Sequence, residues 1–164
     1  MKKRNYLSRR QLLVSASSSM VLGPVIVLAG EGSKDIFVVK NAGCGCCEAW
    51  VEILRDKGFH VTTEDLSSDL LVKFKIESGV PKDMMSCHTA KIEGYFIEGH
   101  VPTEDINRLI SERPNALGLV VPGMPYGSPG MGPEEKRESY NVFLIRSNRT
   151  PELFNHYPKA GLLV

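Results

Sequence analysis

The sequence predicts one domain of mixed α/β (α+β) class, and three observations carry that expectation. A chain of 164 residues has room for one domain and little more. Its 42% hydrophobic and 24% charged residues are ordinary for a globular protein and suggest neither disorder nor a membrane bundle. From residue 35 onward, short β-branched apolar runs alternate with stretches whose apolar residues recur at helical spacing.

The elements follow in order. Ile36-Phe37-Val38-Val39-Lys40 reads as a buried strand, and Asn41-Ala42-Gly43 as a turn. Residues 48–57 are predicted helical, with Trp50, Val51, Ile53 and Leu54 on one face and Gly58 as the stop. A strand at 60–63 follows, then a helix around 70–76 that ends at Gly79. A loop over 80–86 leads to Cys87-His88 and a strand at 89–92. Glu93-Gly94 makes a two-residue hairpin turn, and residues 95–98 return antiparallel. Pro102 opens a helix to about Glu112, with Glu104 and Asp105 at its positive end. This βαβα-ββ-α order is that of a thioredoxin-like core, in which helices cover a small mixed sheet.

The stretch from Gly118 to Pro133 departs from periodicity, with five glycines, four prolines and two methionines in 16 residues. Leu119-Val120-Val121 enters it as a strand. Residues 142–145 and 153–157 then predict a C-terminal β-hairpin around Ser147-Asn148-Arg149. There is no internal repeat, and residues 35–158 are expected to form a single domain.

The N-terminus reads as a targeting segment. Lys2, Lys3, Arg4, Arg9 and Arg10 lead into an apolar stretch, with no acidic residue in the first 29. The pair Arg9-Arg10 before Leu12-Leu13 resembles a twin-arginine export signal, and cleavage after Ala29 is expected. Removing these five basic residues leaves 15 against 19 acidic ones, a net charge of about −4. No basic face for nucleic acid is supplied, and no membrane span is expected once the signal is removed.

The remaining cysteines are Cys44, Cys46, Cys47 and Cys87. In an oxidising compartment an even count suggests structural disulfides. Three cysteines within four positions argue against that, because near neighbours do not readily reach disulfide geometry. A metal or a redox pair suits them better. Cys44-x-x-Cys47 lies between the first strand and first helix, where helix-terminal amides favour thiolates. A thiolate serves disulfide exchange and soft-metal ligation equally. The third thiol, Cys46, favours metal, because Cu(I) prefers sulfur and thiolates can bridge ions.

In a thioredoxin-like core the loop before the third strand packs against this motif, which brings Cys87 within a few ångströms of Cys44 and Cys47. His88 and His100 are candidate nitrogen ligands, each with a structural alternative. Met124 and Met131 are candidate thioether ligands, a type that favours Cu(I), or apolar plugs for the glycine-rich loop. Zinc would accept the same cysteine and histidine atoms. His60 and His156 read as surface or strand residues, and Trp50 as core behind the cysteines.

Four motifs together resemble the CopG-type family of small exported metal-binding proteins. They are Asn41-Ala42-Gly43-Cys44-Gly45-Cys46-Cys47 with Trp50, Ser86-Cys87-His88-Thr89, Glu98-Gly99-His100-Val101-Pro102, and Gly123-Met124-Pro125-Tyr126-Gly127-Ser128-Pro129-Gly130-Met131. The resemblance spans residues 36–157. It implies a thioredoxin-like fold, a periplasmic location, a role in copper resistance, and copper bound through the cysteines. By the same resemblance Cys44, Cys46, Cys47 and Cys87 are the primary ligands, with His88, His100, Met124 and Met131 at motif positions.

Two functions follow as expectations. One is a copper-binding protein that sequesters, transfers or changes the oxidation state of periplasmic copper, dealing with other copper-handling proteins there. The other is a thiol–disulfide oxidoreductase, with Cys44 attacking and Cys47 resolving.

Overall fold

The computed structural model describes residues 34–161. The strands are β1 (Asp35–Lys40), β2 (His60–Asp65), β3 (His88–Ile92), β4 (Tyr95–Glu98), β5 (Ala116–Val120), β6 (Tyr140–Arg146) and β7 (Pro151–Tyr157). The helices are α1 (Gly45–Asp56), α2 (Ser68–Ser78) and α3 (Thr103–Glu112). All seven strands form one sheet in the order β2-β1-β3-β4-β5-β6-β7. β1 runs parallel to β2 and antiparallel to β3, and β4 runs parallel to β5. The expected βαβα-ββ-α order is realised. The targeting segment expected at residues 1–29 lies outside the described residues.

The two faces of the sheet are covered differently, as strand alternation requires. Ile36 and Val38 of β1 join Trp50, Val51 and Leu54 of α1 and Ile106, Leu109 and Ile110 of α3 in the main core. Phe37, one residue out of phase, meets Phe74 of α2 edge-on at 6.4 Å on the other side. A smaller core of Val80, Met84, Phe96, Val120 and Ile145 lies on that side too. The Glu93-Gly94 turn has φ values of +49° and +86°, the left-handed pair a two-residue hairpin demands.

Three expectations are sharpened. α1 begins at Gly45 rather than residue 48, so Cys46 and Cys47 belong to its first turn and Cys44 is its N-cap. The strand entering the Gly/Pro/Met-rich stretch is β5, which pairs with both β4 and β6. It therefore carries the C-terminal hairpin into the same sheet as the core. After it, residues 121–139 cross back towards α1 as a strap.

Gly118 on β5 shows how closely the strands are packed. A Cβ there would stand 2.0 Å from the Phe96 carbonyl oxygen and 2.7 Å from the Phe96 ring. Backbone would have to shift to admit it. Gly118→Ala is accordingly expected to lose about 1–3 kcal/mol in urea denaturation, the usual scale for overpacking.

Candidate metal centre

The centre forms where three chain segments end at one edge of the main core. The first is the β1–α1 junction. Lys40, the last residue of β1, is buried, and its Nζ lies 2.5 Å from Asp65 and 2.6 Å from Glu48 of α1. That ion pair ties the start of the helix to the sheet. Cys44 accepts the Glu48 amide on its carbonyl at 3.1 Å, which closes the first turn. The amides ahead of Glu48 in this turn have no intrahelical partners, so the sulfurs stand at the positive end of the helix.

Cys44 and Cys47 are joined by a disulfide, with their Cα atoms 5.3 Å apart. Cys44 and Cys47 pair as the C-x-x-C spacing allows, and the reluctance expected of near neighbours does not hold here because one helical turn brings positions i and i+3 together. Cys47 is fully buried while Cys44 is partly exposed. Cys46 and Cys87 are free thiols. Cys46 Sγ is 3.6 Å from Cys44 Sγ and 3.8 Å from Cys87 Sγ, so it faces the cluster rather than packing behind the helix. The four cysteine sulfurs all lie within 4.8 Å of one another. Cys87 thus meets the motif across the fold, as expected.

The second segment is the start of β3 and the third is the approach to α3. Cys87 Sγ lies 3.2 Å from His88 Nδ1 and 3.1 Å from His100 Nε2. Cys87, His88 and His100 form a second group whose ligand atoms are within 4.8 Å of one another. His100 Nδ1 is 2.8 Å from the Pro129 carbonyl, which can only accept, so Nδ1 carries the proton. The Nε2 lone pair of the neutral ring is thereby turned towards Cys87. His88 is wholly buried between the Trp50 ring at 4.4 Å and the His100 ring at 4.9 Å. Its Nε2 is buried with no hydrogen-bond partner among the described residues.

Burial sets the protonation of these groups. It holds His88 well below the ordinary 6.5, with the nearby His100 and Lys75 acting in the same direction. Burial also lowers His100. Both rings are therefore neutral near pH 7 and able to ligate. Burial, assisted by Cys46, pushes the Cys87 thiol from 9.0 up to about 12. A cation at this sulfur would have to displace its proton. Two free thiols and two neutral imidazoles, one of them with an orphaned ring nitrogen, fit a soft or borderline metal, and reduction of the disulfide would add two more thiolates.

The strap closes over the centre. Ser86 Oγ donates to the Gly123 carbonyl, and Pro129 receives His100. A Cβ at Gly130, where φ is +82°, would be 2.8 Å from both Cys46 O and Trp50 N, so only glycine lets the strap lie on α1. Met124 is 55% exposed on this strap. Met131 is partly buried, and its backbone closes the turn by bonding to Gly127 and Ser128. His60 and His156 lie elsewhere, beside Asp35 and Asn141 respectively. The sequence reading missed Lys75, which is buried against Glu98 beneath the Cys87 segment. A lysine one turn after Leu71 gives no signal in a sequence.

The shifts predict a stability plateau for the metal-free, disulfide-bonded protein. As pH falls through 6.5 the unfolded chain takes up protons that folded His88 and His100 refuse, so stability falls. As pH rises from 9.0 the unfolded chain releases a proton that folded Cys87 keeps to about 12, so stability falls again. Urea midpoints across this range are expected to be highest between the two values. Cys87→Ser should abolish the decline that starts near 9.0, whereas the buried Tyr140 and half-buried Tyr157 contribute only above 10.0.

Comparisons with known proteins agree with this architecture. Residues 84–131, which hold Cys87, His88, His100 and most of the strap, match the family described as protein of unknown function DUF411. No curated protein matches the chain in sequence. A solved structure named copper resistance protein CopG, form 1, is similar with 40% identity and a TM-score of 0.71, covering 78% of this chain and 99% of that one. Form 2 is similar with 41% identity and a TM-score of 0.70, covering 76% and 98%. With that identity over nearly the whole of those structures, the chain belongs to the CopG-type copper-resistance family.

Proposed function

We propose that this chain is an exported periplasmic protein that binds copper at a cysteine-rich centre and serves copper resistance by sequestering, transferring or changing the oxidation state of the ion. The observation that carries the proposal is the convergence of Cys46 and Cys87 with His88 and His100, next to the Cys44–Cys47 pair. Sulfur donors favour Cu(I), whereas imidazole also suits Cu(II), so the set spans both oxidation states. Copper is the cargo here. Cys46 and Cys87 would hold it first, with His100 Nε2 and a His88 ring nitrogen beside them. Cys44 and Cys47 would join as thiolates on reduction, and the strap residues Met124 and Met131 are thioether candidates at its rim.

Export rests on the basic, twin-arginine-like segment at residues 1–29, and residues 35–158 are read as one thioredoxin-like domain. Among the described residues no helix is long and apolar enough to cross a membrane. The partners would be copper and other periplasmic copper-handling proteins, with no role in nucleic-acid binding.

A second reading is favoured by the disulfide itself. A partly exposed Cys44 joined to a buried Cys47 at a helix N-terminus is suited to thiol–disulfide exchange. Once reduced, the Cys44 thiolate would attack a substrate disulfide and release one substrate thiol. Cys47 would then attack the mixed disulfide, releasing the second substrate thiol and re-forming the Cys44–Cys47 bond. Against this as the main function, Cys46 lies 3.6 Å from Cys44 and offers a competing partner.

Anaerobic loading of the reduced protein with Cu(I), followed by metal counting, tests the copper reading. The wild type is expected to retain copper against a moderate chelating competitor. Cys46→Ser and Cys87→Ser should weaken retention by more than the roughly 10–100-fold typical of outer-shell changes. Loss of copper by the wild type would sink the proposal. If instead the metal-free serine variants reduce insulin as fast as the wild type, the exchange reading gains.

A further inference from the structure

Lys75 and Leu71 are the two buried residues of α2. A buried lysine is costly unless paired, and this one is paired with a carboxylate and a hydroxyl. Its Nζ lies 2.7 Å from Glu98 Oε1 and 2.9 Å from Thr89 Oγ1. Glu98 and Thr89 have no solvent exposure. The Glu98 carboxylate takes two further donors: the Ser86 amide at 2.6 Å and the Thr89 hydroxyl at 2.5 Å.

The positions of these partners matter more than their number. Ser86 immediately precedes Cys87, Thr89 immediately follows His88, and Glu98 is two residues before His100. The strand ladders do not reach far enough to hold Cys87. β3 pairs with β1 from His88 and with β4 from Thr89, so Ser86 and Cys87 lie beyond the last paired residue. What fixes them is the Ser86 amide on Glu98 and the Ser86 hydroxyl on Gly123.

We propose that the buried Lys75–Glu98 pair is the positioning device of the metal centre. It holds the Ser86–Cys87–His88 segment so that the Cys87 sulfur faces His100 and Cys46 before metal arrives. Glu98 supplies the acceptor for Ser86, and Lys75 supplies the charge and tether that keep Glu98 beneath the segment. Neither touches the ion, so both are positioning residues. The inference rests on the proposed copper reading only for the identity of the metal.

Three variants separate positioning from simple stability. Glu98→Gln is nearly isosteric, Lys75→Met keeps the stem, and Lys75→Met/Glu98→Leu replaces the whole pair by apolar groups. Such a replacement is often neutral or stabilising for a fold, so the double variant should regain thermal stability relative to the single ones. It should not regain the site. Cu(I) affinity by chelator competition is expected to fall about 10–100-fold in Glu98→Gln and in the double variant. In the metal-free protein, amide hydrogen exchange at Ser86 and Cys87 should accelerate in both, with little change on α1. Wild-type affinity in a folded double variant, or unchanged exchange at Ser86 and Cys87 in Glu98→Gln, would overturn the proposal. If the double variant does not fold, Glu98→Gln decides by the same two measurements. If the wild type itself holds no copper, the copper reading fails and the exchange measurement alone decides this one.

Discussion

The indole of Trp50 is fully buried, and every segment that contributes to the centre touches it or the turn that carries it. Its Nε1–H donates to the Val101 carbonyl at 2.9 Å, which anchors the approach to α3 just after His100. The face of the ring lies 4.4 Å from the imidazole of His88, at the start of β3. Gly130 brings the strap within 2.8 Å of its amide nitrogen, measured from the place a Cβ would take. The residue itself stands one turn after Cys46 and Cys47. A large rigid side chain with a single donor thus sets the spacing between α1, β3, α3 and the strap. Truncating such a residue generally costs about 3–5 kcal/mol, and here it would also orphan the Val101 carbonyl. Sulfurs and imidazoles that come from positions more than forty residues apart meet because they are all referred to this one ring.

Charge is managed on either side of that hub by two buried lysines. Lys40 ties the β1–α1 junction through Glu48 and Asp65, and Lys75 ties the Cys87 segment through Glu98. Between them, burial holds the Cys87 thiol protonated and both imidazoles neutral. Such a pocket does not favour a bare thiolate. It favours a thiolate whose charge is compensated by a bound cation, so metal uptake and proton release are coupled. The disulfide between Cys44 and Cys47 withdraws two sulfurs from the donor set, and their return depends on reduction.

Much of this was legible in the sequence because local signals and topology agreed. β-Branched runs marked β1 and β3, Gly58 and Gly79 marked helix ends, and Glu93-Gly94 marked the hairpin. The element order then placed Cys87 opposite the motif, and the sulfurs do cluster. The start of α1 was read three residues late because Gly45 and the cysteines are weak helix formers, and tertiary anchoring by Lys40–Glu48 is invisible in one dimension. The orientation of the His100 ring could not be read either, since it depends on a backbone carbonyl at Pro129, 29 residues away. The Lys75–Glu98–Ser86 network was hidden for the same reason. A lysine on a short helix ordinarily faces water, and only the three-dimensional packing shows that this one does not. The strap shows no periodic pattern in sequence, yet Gly130 permits its close approach to α1 and Gly127 its folding back on its own residue Arg137.

The central claim is that one centre combines cysteine sulfur with histidine nitrogen and that copper enters it. Copper-edge X-ray absorption on protein loaded with Cu(I) without exposure to air, compared between the wild type and His100→Ala, tests this most directly. The account predicts a first coordination shell of mainly sulfur with a nitrogen contribution in the wild type, and a diminished nitrogen contribution in the variant. A shell of oxygen and nitrogen without sulfur, or one identical in the two proteins, would contradict it.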